Sequence, residues 1–310
     1  MSLVCTGTIS IDTVETPDHG EQAEILGGSC TYFSAAASFF GPVRLVAAVG
    51  EDFPDAMRAT IDHFAGIDTA GLEVRAGSKT FRWGGKYHDN MDNRDTTFTQ
   101  LNVLEEAPPP VPAEYLDSRF VFLANSHPSV QADMLSRFDK PALSVADTMD
   151  LWINVANTEL RQLLGKVDGL VLNYEEAEQL TESRNPVTAG RHILDMGPRF
   201  VVIKKGEHGA ILVHEDGLSA IPAYPTEQVI DPTGAGDTFA GGMMGHIAAT
   251  AAQDPSLDAG AFETIRDALG YATVTASYTV EAFSLTRLRE LRRIELDARY
   301  REFASMVRLD

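Results

Sequence analysis

The chain has little cysteine, little lysine and no long apolar run, and each shortage narrows what it can be. Cys5 and Cys30 are the two cysteines in 310 residues and form no close-spaced metal or redox motif, so two free thiols are expected. No stretch reaches the roughly 18 consecutive apolar residues of a membrane-spanning helix. The opening MSLVCTGTIS lacks the basic region and cleavage site of a leader, so a soluble, cytoplasmic protein is expected. Lysine occurs only at 79, 86, 140, 166, 204 and 205, against 45 acidic residues, and the formal net charge is −20. A surface so acidic repels polyanions, so nucleic acid and anionic membranes are not expected as partners. Scarce lysine beside abundant acid fits a salty cytoplasm; activity that fell as salt was raised from low levels would count against that reading. Internal repeats and low-complexity tracts are also missing.

What is present is enough chain for one large α/β domain or two smaller ones, with an ordinary apolar fraction of 44%. LVCTGTI (3–9) reads as a buried first strand, followed directly by Asp12. ILGGSCTYFSAAASFFG reads as a Gly27-Gly28 turn and a small-residue helix, and VRLVAAV (43–49) as a second buried strand. From 71 to 103 the pattern changes to shorter, more polar alternation, consistent with half-exposed antiparallel strands. After the stiff connector APPPVP (107–112), strands and helices alternate again through VVIKKGEHGAILV (201–213). Such alternation argues a mainly parallel sheet with helices on both faces, whose ligands sit at the carboxyl ends of the strands. Asn125, Asp147 and Asn173 occupy such ends. A helix over 261–281 and an exposed terminal helix over 285–305 complete the chain.

The most informative stretch is VIDPTGAGDTFAGGMMGHI (229–247). Asp231-Pro232-Thr233 reads as extended or turn, because the residue before proline is pushed out of the helical region. Gly234-Ala235-Gly236 then opens a helix whose first turn carries Asp237. A helix N-terminus gathers unpaired N–H donors and a partial positive charge, and so holds an anion. If that anion is a phosphoryl group in transit, Asp237 can take the proton of the attacking hydroxyl. On the physics alone, a simple cap with a tight glycine turn stays equally open. The string decides: DPTGAGDTFAGG closely resembles the C-terminal signature of the ribokinase-like (PfkB) carbohydrate kinases.

That resemblance implies an ATP-dependent kinase acting on a hydroxyl of a sugar or sugar-like metabolite. It implies a three-layer α/β sandwich with a mainly parallel central sheet and a small β lid that closes over the sugar. The large domain would hold 1–12, 25–70 and 104–310, and the lid 13–24 and 71–103. Asp237 is implied as the catalytic base, with Gly234, Ala235 and Gly236 as the anion hole. Asp12, Gly27, Gly28 and Asn125 are the candidates for binding the acceptor, and Arg82, Trp83, Lys86 and His88 are lid residues that could face it. Asn173 and Glu176 alone read as a helix cap and capping box. They also match the family's NxxE motif, which holds Mg²⁺ near the phosphates, often through water. Lys204, Gly206, Gly209 and Thr233 are implied as nucleotide contacts, Lys204 replacing the family's usual Thr. The DTMD string at 147–150 also departs from the usual Asp-Pro-Asn. Asp231 is the candidate for a monovalent cation such as K⁺, and the lid for a homodimer contact.

Three other classes rival this reading. A nucleoside kinase on the same fold needs aromatics in the lid, which Trp83, Tyr87 and Phe98 keep open. A nucleotide-binding regulator without turnover would not need Asp237. A nicotinamide dehydrogenase needs GxGxxG after the first strand, where the chain has GTISID; a P-loop is excluded because GxxxxGK followed by Ser or Thr is absent.

Overall fold

The computed structural model describes residues 2–308. In chain order its strands are β1 (Leu3–Thr6), β2 (Ser10–Thr16), β3 (Gly20–Gly27), β4 (Val43–Gly50), β5 (Ile67–Arg75), β6 (Phe81–Tyr87) and β7 (Arg94–Gln100). After the lid come β8 (Phe120–Leu123), β9 (Leu143–Asp147), β10 (Gly169–Asn173), β11 (Phe200–Lys204), β12 (Ala210–His214) and β13 (Gly217–Ile221). Nine of them form one sheet in the order β13-β12-β11-β10-β9-β8-β1-β4-β5. From β11 to β5 every pairing is parallel, while β12 and β13 add an antiparallel edge.

The period-2 alternation of side chains divides the strands between two cores. Leu3 and Cys5 of β1, and Leu45, Ala47 and Val49 of β4, face helices Ser29–Ala37, Ala235–Gln253, Phe262–Thr279 and Arg293–Val307. Val4, Val46, Leu170 and Leu172 face the opposite layer, built from helices Pro128–Leu135, Asn157–Leu164, Tyr174–Thr181 and Pro186–Leu194. This is the expected three-layer sandwich. Because both faces are covered, the strands read as continuous apolar runs rather than as alternation. Cys5 and Cys30 are free and buried, as expected. Among the described residues no helix is long and apolar enough to cross a membrane.

The remaining strands form a separate sheet, ordered β3-β2-β6-β7, which is the lid. Its composition differs from the expectation in three places. Residues 25–27, read as large domain, form the end of lid strand β3. Gly71–Arg75, read as lid, instead belongs to β5, paired in parallel with β4 at the edge of the large sheet. An edge strand is half-exposed, so its mixed pattern resembles that of a lid strand. Asp12, read as lying just after the first strand, sits inside lid strand β2, because β1 ends at Thr6 and the lid begins at Ser10. The C-terminal segment also differs: Leu285, Leu288, Leu291, Leu296 and Phe303 are buried, so it seals the first core rather than standing free.

Candidate active site

Four neighbouring strands deliver polar side chains to one place. Asp147, Asn173 and Lys204 are the last residues of β9, β10 and β11, and Asn125 lies two residues beyond β8. Parallel register sets Asn173 beside Lys204, and Val171 beside Asp147. With the lid and the loop 232–237 they line a cavity of about 630 Å³, a size suited to small ligands.

The helix Ala235–Gln253 points its N-terminus into this cavity. Its N-cap, Gly234, has φ +75, and a side chain there would also collide with the Tyr32 ring. Glycine is therefore required on two counts. Ala235 donates its N–H to the Pro232 carbonyl (3.1 Å) and Thr238 donates to Gly234 (2.8 Å). Among the described residues the N–H groups of Gly234, Gly236 and Asp237 have no acceptor, so two of the three expected anion-hole donors are open, with Asp237 N–H beside them, while that of Ala235 is engaged. The Asp237 carboxylate, lining the same cavity, accepts no hydrogen bond from the described chain.

The electrostatics centre on one lysine. The Lys204 ammonium lies 4.0 Å from Asp147 and is mostly buried. It also packs against Gly236, where any side chain would meet its Nζ. Burial pulls the Lys204 pKa down, but Asp147, Glu176 and Asp237 outweigh it and the net shift is upward. The acids respond in kind. Burial, then Asp147, push Asp237 up to about 7, against the opposing pull of Lys204 and Arg94. Burial and Asp147 likewise raise Glu176 to about 7. Asp237 is therefore poised to exchange a proton near neutrality, as a general base requires.

Asn173 and Glu176 make the capping box in full: Glu176 N–H donates to Asn173 Oδ1 (2.8 Å) and Asn173 N–H to Glu176 Oε2 (2.7 Å). Glu176 Oε1 accepts no hydrogen bond from the described chain, and both residues line the cavity. One open carboxylate oxygen fits a magnesium ion that keeps most of its waters.

At the other end, Asp12 is buried with Oδ1 unpartnered. Burial pushes it up to about 7, opposed by a hydrogen bond from Ser10 and reinforced by Asp231 and Asp237. An orphaned buried oxygen costs stability unless a ligand supplies a donor. Gly27 must lack a side chain because Asp12 Oδ2 lies against it. Asn125 is locked: Trp152 Nε1 donates to its Oδ1 (2.9 Å), and an indole can only donate, so its NH₂ lies on the opposite side, near Met149 Sδ (3.0 Å). Phe81, Trp83 and Tyr32 complete this end.

Most anticipated residues meet in the cavity: Asp12, Gly28, Asn125, Asn173, Glu176, Lys204, Gly206 and Thr233 to Asp237. Gly27 and Gly209 stand behind it, Gly209 closing the turn after β11 at φ +80. Asp231 is fully buried; Oδ1 accepts from Thr233 N–H (2.9 Å) and Oδ2 has no partner among the described residues. Of the lid candidates Trp83 alone lines the cavity. Arg82 pairs with Glu24 and Asp52, Lys86 with Glu15, and His88 with Asp95. The sequence reading missed Arg94, Asp92 and Tyr32, all of which line the cavity. Arg94 and Asp92 sit in a polar string, MDNRD, without periodicity to mark them. Tyr32 was visible as the one polar aromatic in an otherwise small or apolar helix.

An acid poised near neutrality, open N–H donors at a helix start and a buried cation define a phosphotransferase. The pfkB family carbohydrate kinase profile matches residues 2–290, and the chain belongs to that family. It is similar to a cytidine kinase of Thermococcus kodakarensis, 30% identical over 79% of this chain and 87% of the relative. Among solved structures it resembles the nucleoside kinase of Methanocaldococcus jannaschii, a member of the ribokinase family. That match has TM-score 0.75 and 19% identity over 97% of this chain and 98% of the other. The aminoimidazole riboside kinase of Salmonella enterica, solved with aminoimidazole riboside and an ATP analogue, matches with TM-score 0.75. Its identity is 17%, over 97% of this chain and all (100%) of the other.

Proposed function

We propose that the protein transfers the γ-phosphate of ATP to a hydroxyl, a primary one in the simplest case, of a sugar or sugar-like metabolite. The carrying observation is Asp237: an unpartnered carboxylate raised to about 7, in the same helical turn as the open N–H groups of Gly234 and Gly236. Asp237 takes the hydroxyl proton as that oxygen attacks phosphorus in line. The three N–H groups and Lys204 hold the charge that spreads over the transferring oxygens; positioning and electrostatics supply most of the rate. Asp12 and the Asn125 amide orient the acceptor hydroxyls. Asn173 and Glu176 would hold Mg²⁺, which when bound neutralises charge between the phosphates. Lys205, Gly206 and Thr233, which line the cavity, would contact the nucleotide. Asp231, with its orphaned Oδ2, is a site for a monovalent cation.

A nucleoside acceptor is the second reading. It is supported by Phe81 and Trp83, two aromatic rings lining the cavity that also holds Asp12, since such faces stack on a base.

The test is ADP release from ATP and Mg²⁺ against ribose, fructose 6-phosphate, myo-inositol, cytidine and inosine, with and without K⁺. Turnover of one class, lost in Asp237→Asn, supports the kinase and identifies the acceptor class. Turnover that survives the substitution overturns the mechanism.

A further inference from the structure

The loops that follow β8 and β9 hold polar atoms for which the transfer chemistry has no use. Gln131, fully buried, clamps the two strand ends together: its Nε2 donates to the carbonyls of Leu123 (2.8 Å), Ala124 (3.2 Å) and Asp147 (2.8 Å). The parallel register sets Leu123 beside Ala146, and carried on two residues it brings Asn125 alongside Thr148. Thr148 stands where the usual Asp-Pro-Asn has proline, which carries no hydroxyl. It lines the cavity at 3% exposure, and its Oγ1 has no partner among the described residues. Asn125 lines the cavity too. Trp152 Nε1 fixes the Asn125 Oδ1, so the NH₂ faces Met149, whose thioether is a weak acceptor. Two underused hydrogen-bonding groups thus stand in one wall, and folded proteins rarely leave buried polar atoms so unless a ligand completes them.

We propose that Asn125 and Thr148 form a second acceptor subsite, which takes a neutral hydroxyl other than the one held by Asp12, and that Trp152 positions the Asn125 amide for it. Asn125, Thr148, Met149 and Trp152 carry no charge, and Lys204 is already paired with Asp147, so the subsite offers no cation to an anionic group. A hydroxyl suits both partners: its oxygen accepts from the Asn125 amide and its proton goes to Thr148 Oγ1. Asp12, with its orphaned Oδ1, approaches from the lid, which the Tyr87 hydroxyl fastens to Thr233 Oγ1 (3.1 Å) beside the anion hole. The proposal rests on the kinase reading above and narrows it. The acceptor is an unphosphorylated polyhydroxy compound, held by the lid at one hydroxyl and by the loops after β8 and β9 at another, with a third presented to Asp237.

The experiment compares wild type with Thr148→Val, which keeps the shape and removes the hydroxyl, and Trp152→Phe, which keeps an aromatic ring and removes the donor. Acceptor binding is measured by titration calorimetry without ATP, and turnover by ADP release, on ribose, myo-inositol, cytidine and fructose 6-phosphate. Wild type should bind an unphosphorylated member in preference to fructose 6-phosphate. For that acceptor Thr148→Val should raise Kd and KM about tenfold, with kcat and ATP KM within about threefold. Trp152→Phe should raise them about threefold, because the amide can then turn either way, and the double variant should lose less than the product of the two effects. Since Thr148 Oγ1 is orphaned in the substrate-free protein, Thr148→Val should melt no lower than wild type. A melting temperature lowered by several degrees means that the hydroxyl has an internal partner, and overturns the proposal. So does an unchanged acceptor Kd in Thr148→Val, or a wild type that prefers fructose 6-phosphate or binds none of the neutral acceptors. Unchanged affinity in Trp152→Phe removes its positioning role. Acceptor binding that depends on Thr148, without turnover by wild type, counts against the kinase reading alone.

Discussion

The two sheets differ in how they make function. The large sheet is buried on both faces, and its contribution to the site comes only from strand ends: Asp147, Asn173 and Lys204. The lid has β7 exposed along its whole length, and it contributes Asp12 and Trp83 from within its strands. A residue at a strand end is functional or a cap, which is a short choice. A residue inside a half-exposed strand competes with every ordinary surface residue. Under the proposed function, these strand ends of the large sheet serve the transfer and the lid encloses the acceptor.

Substitutions should divide along that line. Asp237→Asn removes the base and should lower kcat about 10³-fold for every acceptor, read in initial-rate assays. Lys204→Met should lower it about 10²-fold and move the pH–rate profile upward, since the ammonium now holds Asp237 down. Asp12→Asn, on the lid, should instead raise acceptor KM by about tenfold, unequally between acceptors, with ATP KM unchanged. An equal kcat effect on all acceptors would erase the proposed division of labour.

The pH behaviour sharpens the same contrast. Because Asp237 must be ionised to accept a proton, kcat/KM should fall as pH drops below about 7. Stability runs the other way. Asp12, Glu176 and Asp237 have native pKa values of about 7, above those of an unfolded chain, so the native state binds more protons in between. Their contribution is whole below the ordinary carboxylate range and is lost as pH rises through about 7. The substrate-free protein should melt higher at pH 6 than at pH 8. Asp237→Asn should flatten part of that slope and raise Tm at pH 8 by about 2–4 °C. A steeper slope in the variant would contradict this.

The phosphoryl end was legible because its physics is local: DPTGAGD specifies a turn and a helix start within one string, and Asn173 and Glu176 cap a helix three residues apart. The layers were legible too, because strands covered on both sides read as apolar runs. Three things were not. The fate of Gly71–Arg75 depends on which sheet edge accepts it, and edge and lid strands share one pattern. Asp12 was found, but its placement inside β2 depends on pairing with β3 and β6. Arg94 reaches the cavity only through its register opposite Tyr87 and its place over the Trp83 ring. Such long-range relations leave no periodic trace.

The Tyr87–Thr233 hydrogen bond has a kinetic consequence. It fastens the enclosing sheet to the loop beside the anion hole, so opening the one must disturb the other. A phosphorylated product enclosed by both would have to wait for that joint separation before it departs. Turnover would then be governed by the exit step, and rapid mixing of enzyme with both substrates should show a burst of ADP followed by a slower steady state. Tyr87→Phe, which unfastens the two parts while keeping the ring, should shrink the burst and quicken the slow phase.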